Sequence, residues 1–114
     1  MSMDRDRRIE TLLPLRPVEF HVLLSLAEGE RHGYGIIQDM RERGGEVVPD
    51  VGTLYRALAR MVDQGLIEAA DSGERRNYYR ITAFGLHVAK AEARRLEGLT
   101  RAARIGGLLE KGAK

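Results

Sequence analysis

The sequence contains no cysteine and no tryptophan, and its aromatic residues are four tyrosines and two phenylalanines. Without cysteine there is neither a disulfide framework nor a thiolate metal site. The three histidines, His21, His32 and His87, have no second ligand at metal-like spacing, so no metal is expected. No apolar run is long enough to cross a membrane and no signal-like apolar segment opens the chain, so a soluble cytoplasmic protein is expected. Nor are there signs of catalysis. There is no Ser-His-Asp arrangement and no phosphate loop, and the Gly33/Gly35 pair lacks the preceding strand and third glycine of a dinucleotide site. Neither an enzyme nor a cofactor is expected. A net charge of only +2 with a pI near 9.2 permits an anionic partner without demanding one.

What remains is a globular composition, 43% hydrophobic and 32% charged, in 114 residues. That length fits one domain with a protruding element. Residues 1–11 read as a flexible segment: Met1 to Arg8 is dense in charge, and Arg5, Arg7 and Arg8 look like a solvated tail. Ile9, Leu12 and Leu13 have the spacing of a short amphipathic turn. Pro17 suits the first position of a helix running through Phe20, Leu23 and Leu24 to a stop at Gly29. A second helix spans about Gly33 to Arg43, with His32 expected as a satisfied or exposed residue at its start and Gly44-Gly45 at its end.

Asp50 to Gly65 is the best-marked helix. Asp50 is a good N-cap, Gly65 suits the left-handed position past the C-terminus, and Leu54, Ala57, Leu58, Met61 and Val62 form one apolar face. The opposite face carries Gly52, Tyr55, Arg56, Ala59, Arg60 and Asp63, where small residues between arginines would let a rod such as duplex DNA approach. A short link to the helix before it, through Glu46-Val47-Val48-Pro49, gives the pair the shape of a helix-turn-helix. Leu66–Ala70 and Arg76–Thr82 then read as strands around the turn Asp71-Ser72-Gly73-Glu74, with Tyr79 and Ile81 facing inward and Arg75 and Arg76 near the tip. A hairpin so placed is a wing whose basic tip would meet phosphate.

Thr82 caps a last helix expected to run from Ala83 to about Lys111. Val88, Leu96, Leu99, Ala103 and Leu109 make an apolar seam that nothing in so small a domain covers, which points to homodimerisation. The expected fold is mainly α with a small β component (α+β): a winged helix-turn-helix over residues 12–82 and a dimerisation helix over 83–111. A pocket for a small aromatic effector between paired subunits, walled by Phe20 and the first helix, is the weaker expectation because aromatics are scarce.

Taken in order, Leu13-Pro14-Leu15, His32-Gly33-Tyr34-Gly35-Ile36, Gly52-Thr53-Leu54-Tyr55-Arg56-Ala57-Leu58, Gly65-Leu66-Ile67 and Arg75-Arg76-Asn77-Tyr78-Tyr79-Arg80-Ile81-Thr82 resemble the PadR family of transcriptional regulators, in its short form. The resemblance covers about Leu12 to Leu109. It implies a homodimeric winged-helix repressor of the nucleoid, with Thr53, Tyr55 and Arg56 near double-stranded DNA, Arg60 one turn on, and Arg75 and Arg76 on the wing. Val51 stands where such proteins often have proline. The missing tryptophan departs from those short relatives that stack planar drugs at the subunit interface. A winged-helix module used only for protein contact is the alternative, and the four arginines weigh against it.

Overall fold

The computed structural model describes residues 3–44, 48–71 and 73–110. Eight elements follow one another: α1 (Met3–Leu12), α2 (Pro17–Ala27), β1 (Arg31–His32), α3 (Gly33–Arg43), α4 (Val51–Asp63), β2 (Ile67–Ala69), β3 (Tyr78–Ile81) and α5 (Ala83–Ile105). Local chemistry sets most boundaries. Pro17 opens α2, and the Glu19 carboxylate accepts the Arg16 N–H at 3.1 Å, half of a capping box. His32 Nδ1 caps α3 by accepting the Tyr34 N–H, and Asp50 caps α4 by accepting the Thr53 N–H at 2.7 Å. After α4 the chain turns through Gly65 at φ +79, and the Leu66 N–H returns to the Met61 carbonyl, as a left-handed helix ending requires.

Leu23, Leu26, Ile36, Ile37, Leu54, Leu58, Met61, Leu66 and Val88 are fully enclosed between α2, α3, α4, the sheet and the first turns of α5. The sheet is antiparallel in the order β1-β3-β2, with Ile67 opposite Ile81 and His32 opposite Tyr78. Alternation along β3 turns Tyr79 and Ile81 to the core, as the sequence indicated. Thr82 fastens the sheet to α5: its hydroxyl donates to the Gly65 carbonyl at 2.6 Å and accepts the Gly85 N–H at 2.9 Å. Gly85 has no room for a side chain, because a Cβ would run into the Leu66 carbonyl.

Several expectations are corrected. Residues 3–11 belong to a regular helix rather than a flexible segment. Ile9 and Leu12 pack on the core, and the Arg8 guanidinium lies 4.2 Å from the Phe84 ring centre, so α1 is anchored on α5. Arg31-His32 forms a third strand that two residues of sequence could not announce. The hairpin strands are shorter than expected, because Asn77 adopts a left-handed φ of 61 just before β3. Helix α5 stops at Ile105, where Gly106 and Gly107 (φ 83) turn the chain and the Leu108 N–H reaches back to the Ala103 carbonyl. Lys111, Gly45 to Val47 and Ser72 lie outside the described residues. Val88 is not a seam residue; it is fully buried inside its own chain.

Candidate nucleic-acid interface

Helix α4 buries Leu54, Ala57, Leu58 and Met61 and leaves Gly52, Thr53, Arg56, Ala59 and Asp63 exposed. Asp50 holds the first turn, and its carboxyl lies below the usual carboxylate range, first because it accepts the Thr53 N–H. The Arg56 guanidinium reaches back one turn to the Thr53 hydroxyl, Nη2 to Oγ1 3.1 Å. Thr53 and Arg56 therefore form one exposed polar unit at the amino-terminal half of the helix, the half that reads base edges in helix-turn-helix proteins.

The other two sequence candidates on α4 sit differently. Tyr55 is half-buried, its ring packed over Gly33 at the start of α3. Burial, and secondarily Tyr34, pushes its hydroxyl above the ordinary tyrosine value. Tyr55 thus locks α4 to α3 as much as it faces outward. Arg60 continues the Thr53–Arg56 stripe one turn on, where its Nε meets α2 at 3.4 Å from Oε2 of Glu19, a carboxylate only 6% exposed.

The wing brings Arg75 and Arg80 together on Glu30. The Arg75 guanidinium lies 4.0 Å from the Tyr78 ring centre and donates to Glu30 at 3.0 Å. Arg80 donates to Glu68 at 2.7 Å and to the same Glu30 at 3.4 Å. Arg75, and less strongly Arg80, holds the Glu30 carboxyl below the usual range even though solvent reaches it. Arg76 is exposed and makes no hydrogen bond or ion pair among the described residues. Of the four arginines singled out from the sequence, Arg56 and Arg76 have no carboxylate bonded to them among the described residues, while Arg60 and Arg75 are bonded to acidic residues. Neither Glu19 nor Glu30 was legible as a partner. Their arginines are 41 and 45 residues away, so only the fold pairs them.

On α5 the seam residues divide. Leu96 and Ala103 are half-buried, whereas Leu99 is 56% and Leu109 46% exposed, with Ile105 and Leu108 beside them at 82%. Next to Leu96 is a cleft of about 190 Å³ walled by Leu15, Pro17, Phe20 and His21 and floored by Glu92. The enclosed Glu92 takes Arg95 through two bonds of 2.7 and 2.9 Å, and this pairing raises the guanidinium's affinity for its proton. Among the described residues no cluster of potential metal ligands occurs, and no helix is long and apolar enough to cross a membrane.

Helices α2, α3 and α4, followed by a hairpin against the same core, define a winged helix-turn-helix with an appended carboxy-terminal helix. Residues 22–91 match the model of the transcriptional regulator PadR-like family, and the chain belongs to that family. It is 34% identical over 87 residues to a transcriptional regulator of Mycobacterium tuberculosis, covering 74% of this chain and 79% of the relative. A transcriptional regulator from Clostridium thermocellum superposes with a TM-score of 0.68 at 30% identity, over 91% of this chain and 95% of the other. A PadR family transcription regulator from Clostridium difficile shares the fold, with a TM-score of 0.68 at 24% identity, over 76% and 94% of the two chains. The chain is a transcriptional regulator, not an enzyme.

Proposed function

We propose that this regulator acts as a homodimeric repressor that binds an inverted-repeat operator in duplex DNA. Helix α4 enters the major groove and the wing lies on the adjacent phosphates. The observation that carries this reading is the exposed Thr53–Arg56 unit at the amino-terminal half of α4, whose Arg56 guanidinium is bonded to no carboxylate among the described residues. An arginine there is suited to bidentate contact with guanine. Arg76 at the wing tip supplies a sequence-independent phosphate contact. Leu96, Leu99, Ala103 and Leu109, with Ile105 and Leu108, supply the apolar surface for a two-fold partner. Pairing through α5 sets the two α4 helices about one turn of DNA, roughly 34 Å, apart.

The cleft beside Leu96 favours one addition, a small aromatic effector. At about 190 Å³ it is small for such a ligand; walls from a second subunit would complete it. A stabilising shift in melting temperature with planar aromatic compounds supports the effector, and none across a broad panel rejects it. Use of the module for protein contact alone draws on a different observation, the bonding of Arg60 and Arg75 to Glu19 and Glu30. Selection of bound duplexes from random DNA, followed by titration of the selected site at several salt concentrations, separates the two. Specific binding that weakens steeply with salt supports the operator reading; no binding to any duplex leaves the protein-contact module.

A further inference from the structure

The structure assigns Glu19 as a positioning residue that aims the free end of the Arg60 guanidinium at a DNA phosphate, on the same flank of α4 as Thr53 and Arg56. The inference rests on the proposal that α4 lies in the major groove. Three observations carry it. First, Thr53, Arg56 and Arg60 stand at i, i+3 and i+7, so they line one stripe of the helix. The stripe advances about 10 Å from Thr53 to Arg60 at 1.5 Å per residue, away from the end that meets the bases and toward the groove edge.

Second, Arg60 is engaged with Glu19 through Nε alone, at 3.4 Å. Its two terminal amino groups make no hydrogen bond among the described residues, and the side chain stays 41% exposed. Those groups form the part of the fork that grips a phosphate. Third, Glu19 cannot follow the arginine outward. It is buried, and its other oxygen accepts the Arg16 N–H at 3.1 Å. The acceptor that holds Arg60 is thus fixed by the first turn of α2. A tethered guanidinium loses less rotamer freedom on meeting DNA than a free one, which raises affinity without adding a contact to the partner.

The test is a set of salt titrations on one operator duplex and one random duplex, with melting temperatures measured alongside. Arg60→Ala is expected to weaken both duplexes alike and to flatten the salt slope by about one unit. Glu19→Met keeps volume and helix preference but removes the tether. It is expected to weaken binding about three- to tenfold while keeping the slope, since the charge remains. Glu19→Gln retains an acceptor and is expected to recover most of that loss. In the Arg60→Ala background, Glu19→Met is expected to change nothing further. An unchanged slope in Arg60→Ala, or a Glu19→Met loss that persists without Arg60, overturns the assignment. Should Glu19→Met fail to fold, Glu19→Asp decides: it keeps the carboxylate but draws it back by one methylene from Arg60, so affinity falls at constant slope in the Arg60 protein and not in the Arg60→Ala background, and unchanged affinity overturns the tether. Failure of the unaltered protein to bind any duplex would instead reject the underlying DNA reading.

Discussion

Gly33 and Tyr55 form a close contact that sets α4 on its scaffold, and their coupling is measurable. A Cβ built on Gly33 would fall on the Tyr55 hydroxyl and only 2.6 Å from Cζ. The obstacle is thus the ring as well as its oxygen, and Tyr55→Phe would not clear it. Gly33 also cannot retreat easily, because its N–H donates to the Asn77 carbonyl at 3.0 Å, tying α3 to the wing. Forcing one methyl into such a contact costs about 1–3 kcal/mol. At about 4 °C per kcal/mol for a domain of this size, Gly33→Ala should melt about 4–12 °C below the unaltered protein. Tyr55→Ala removes the ring and leaves room for the new methyl. In that background the same glycine substitution should therefore cost almost nothing. A thermal-melt cycle over the four proteins measures this directly. An equal cost of Gly33→Ala in both backgrounds would refute the contact as the cause.

Three further outcomes are expected. In the proposed dimer Leu99→Glu sets a charge in the seam of each subunit, so sedimentation should show the unaltered protein as a dimer and the substituted one as a monomer, and operator binding should collapse with no DNA-facing residue changed. Glu30→Gln releases Arg75 and Arg80 from their shared carboxylate, so DNA affinity measured by anisotropy should rise and its salt slope steepen; unchanged binding would show that Glu30 does not compete with phosphate. The Asp50 carboxyl is held below its ordinary value by the Thr53 N–H, so its folded-state pKa lies beneath the unfolded one. The stabilisation is full above about pH 4 and is lost as pH falls through the lower folded value. Asp50→Ala should lower the melting temperature at pH 7, and the gap from the unaltered protein should shrink in strong acid.

Short-range chemistry was legible in the sequence, and long-range pairing was not. Asp50 and Gly65 marked α4 because cap preferences act within a turn or two of the chain. Alternation placed Tyr79 and Ile81 inward because side-chain direction along a strand follows from the backbone alone. α1 was missed because a charge-dense stretch offers few apolar residues to bury, and its anchors, Arg8 on Phe84 and Ile9 on the core, depend on residues far along the chain. Val88 was misplaced for a related reason. Periodicity identifies an apolar stripe on α5 but not the point at which the chain's own core stops covering it. At the candidate site, residue type and spacing put Tyr55, Arg56 and Arg60 on the outer face and the family resemblance alone added Thr53, but exposure differs among the six candidates. Tyr55 is packed on α3, while Arg60 and Arg75 are bonded to carboxylates that only the folded chain brings near.

The central proposal is that α4 reads bases through its exposed amino-terminal half. It is tested most directly by anisotropy titration of a selected operator and a random duplex with the unaltered protein and with Arg56→Ala. The substituted protein should lose about 1–3 kcal/mol on the operator, about 5- to 150-fold in affinity, with much less change on the random duplex. Full affinity and full discrimination retained by Arg56→Ala would contradict the placement of the reading face on α4.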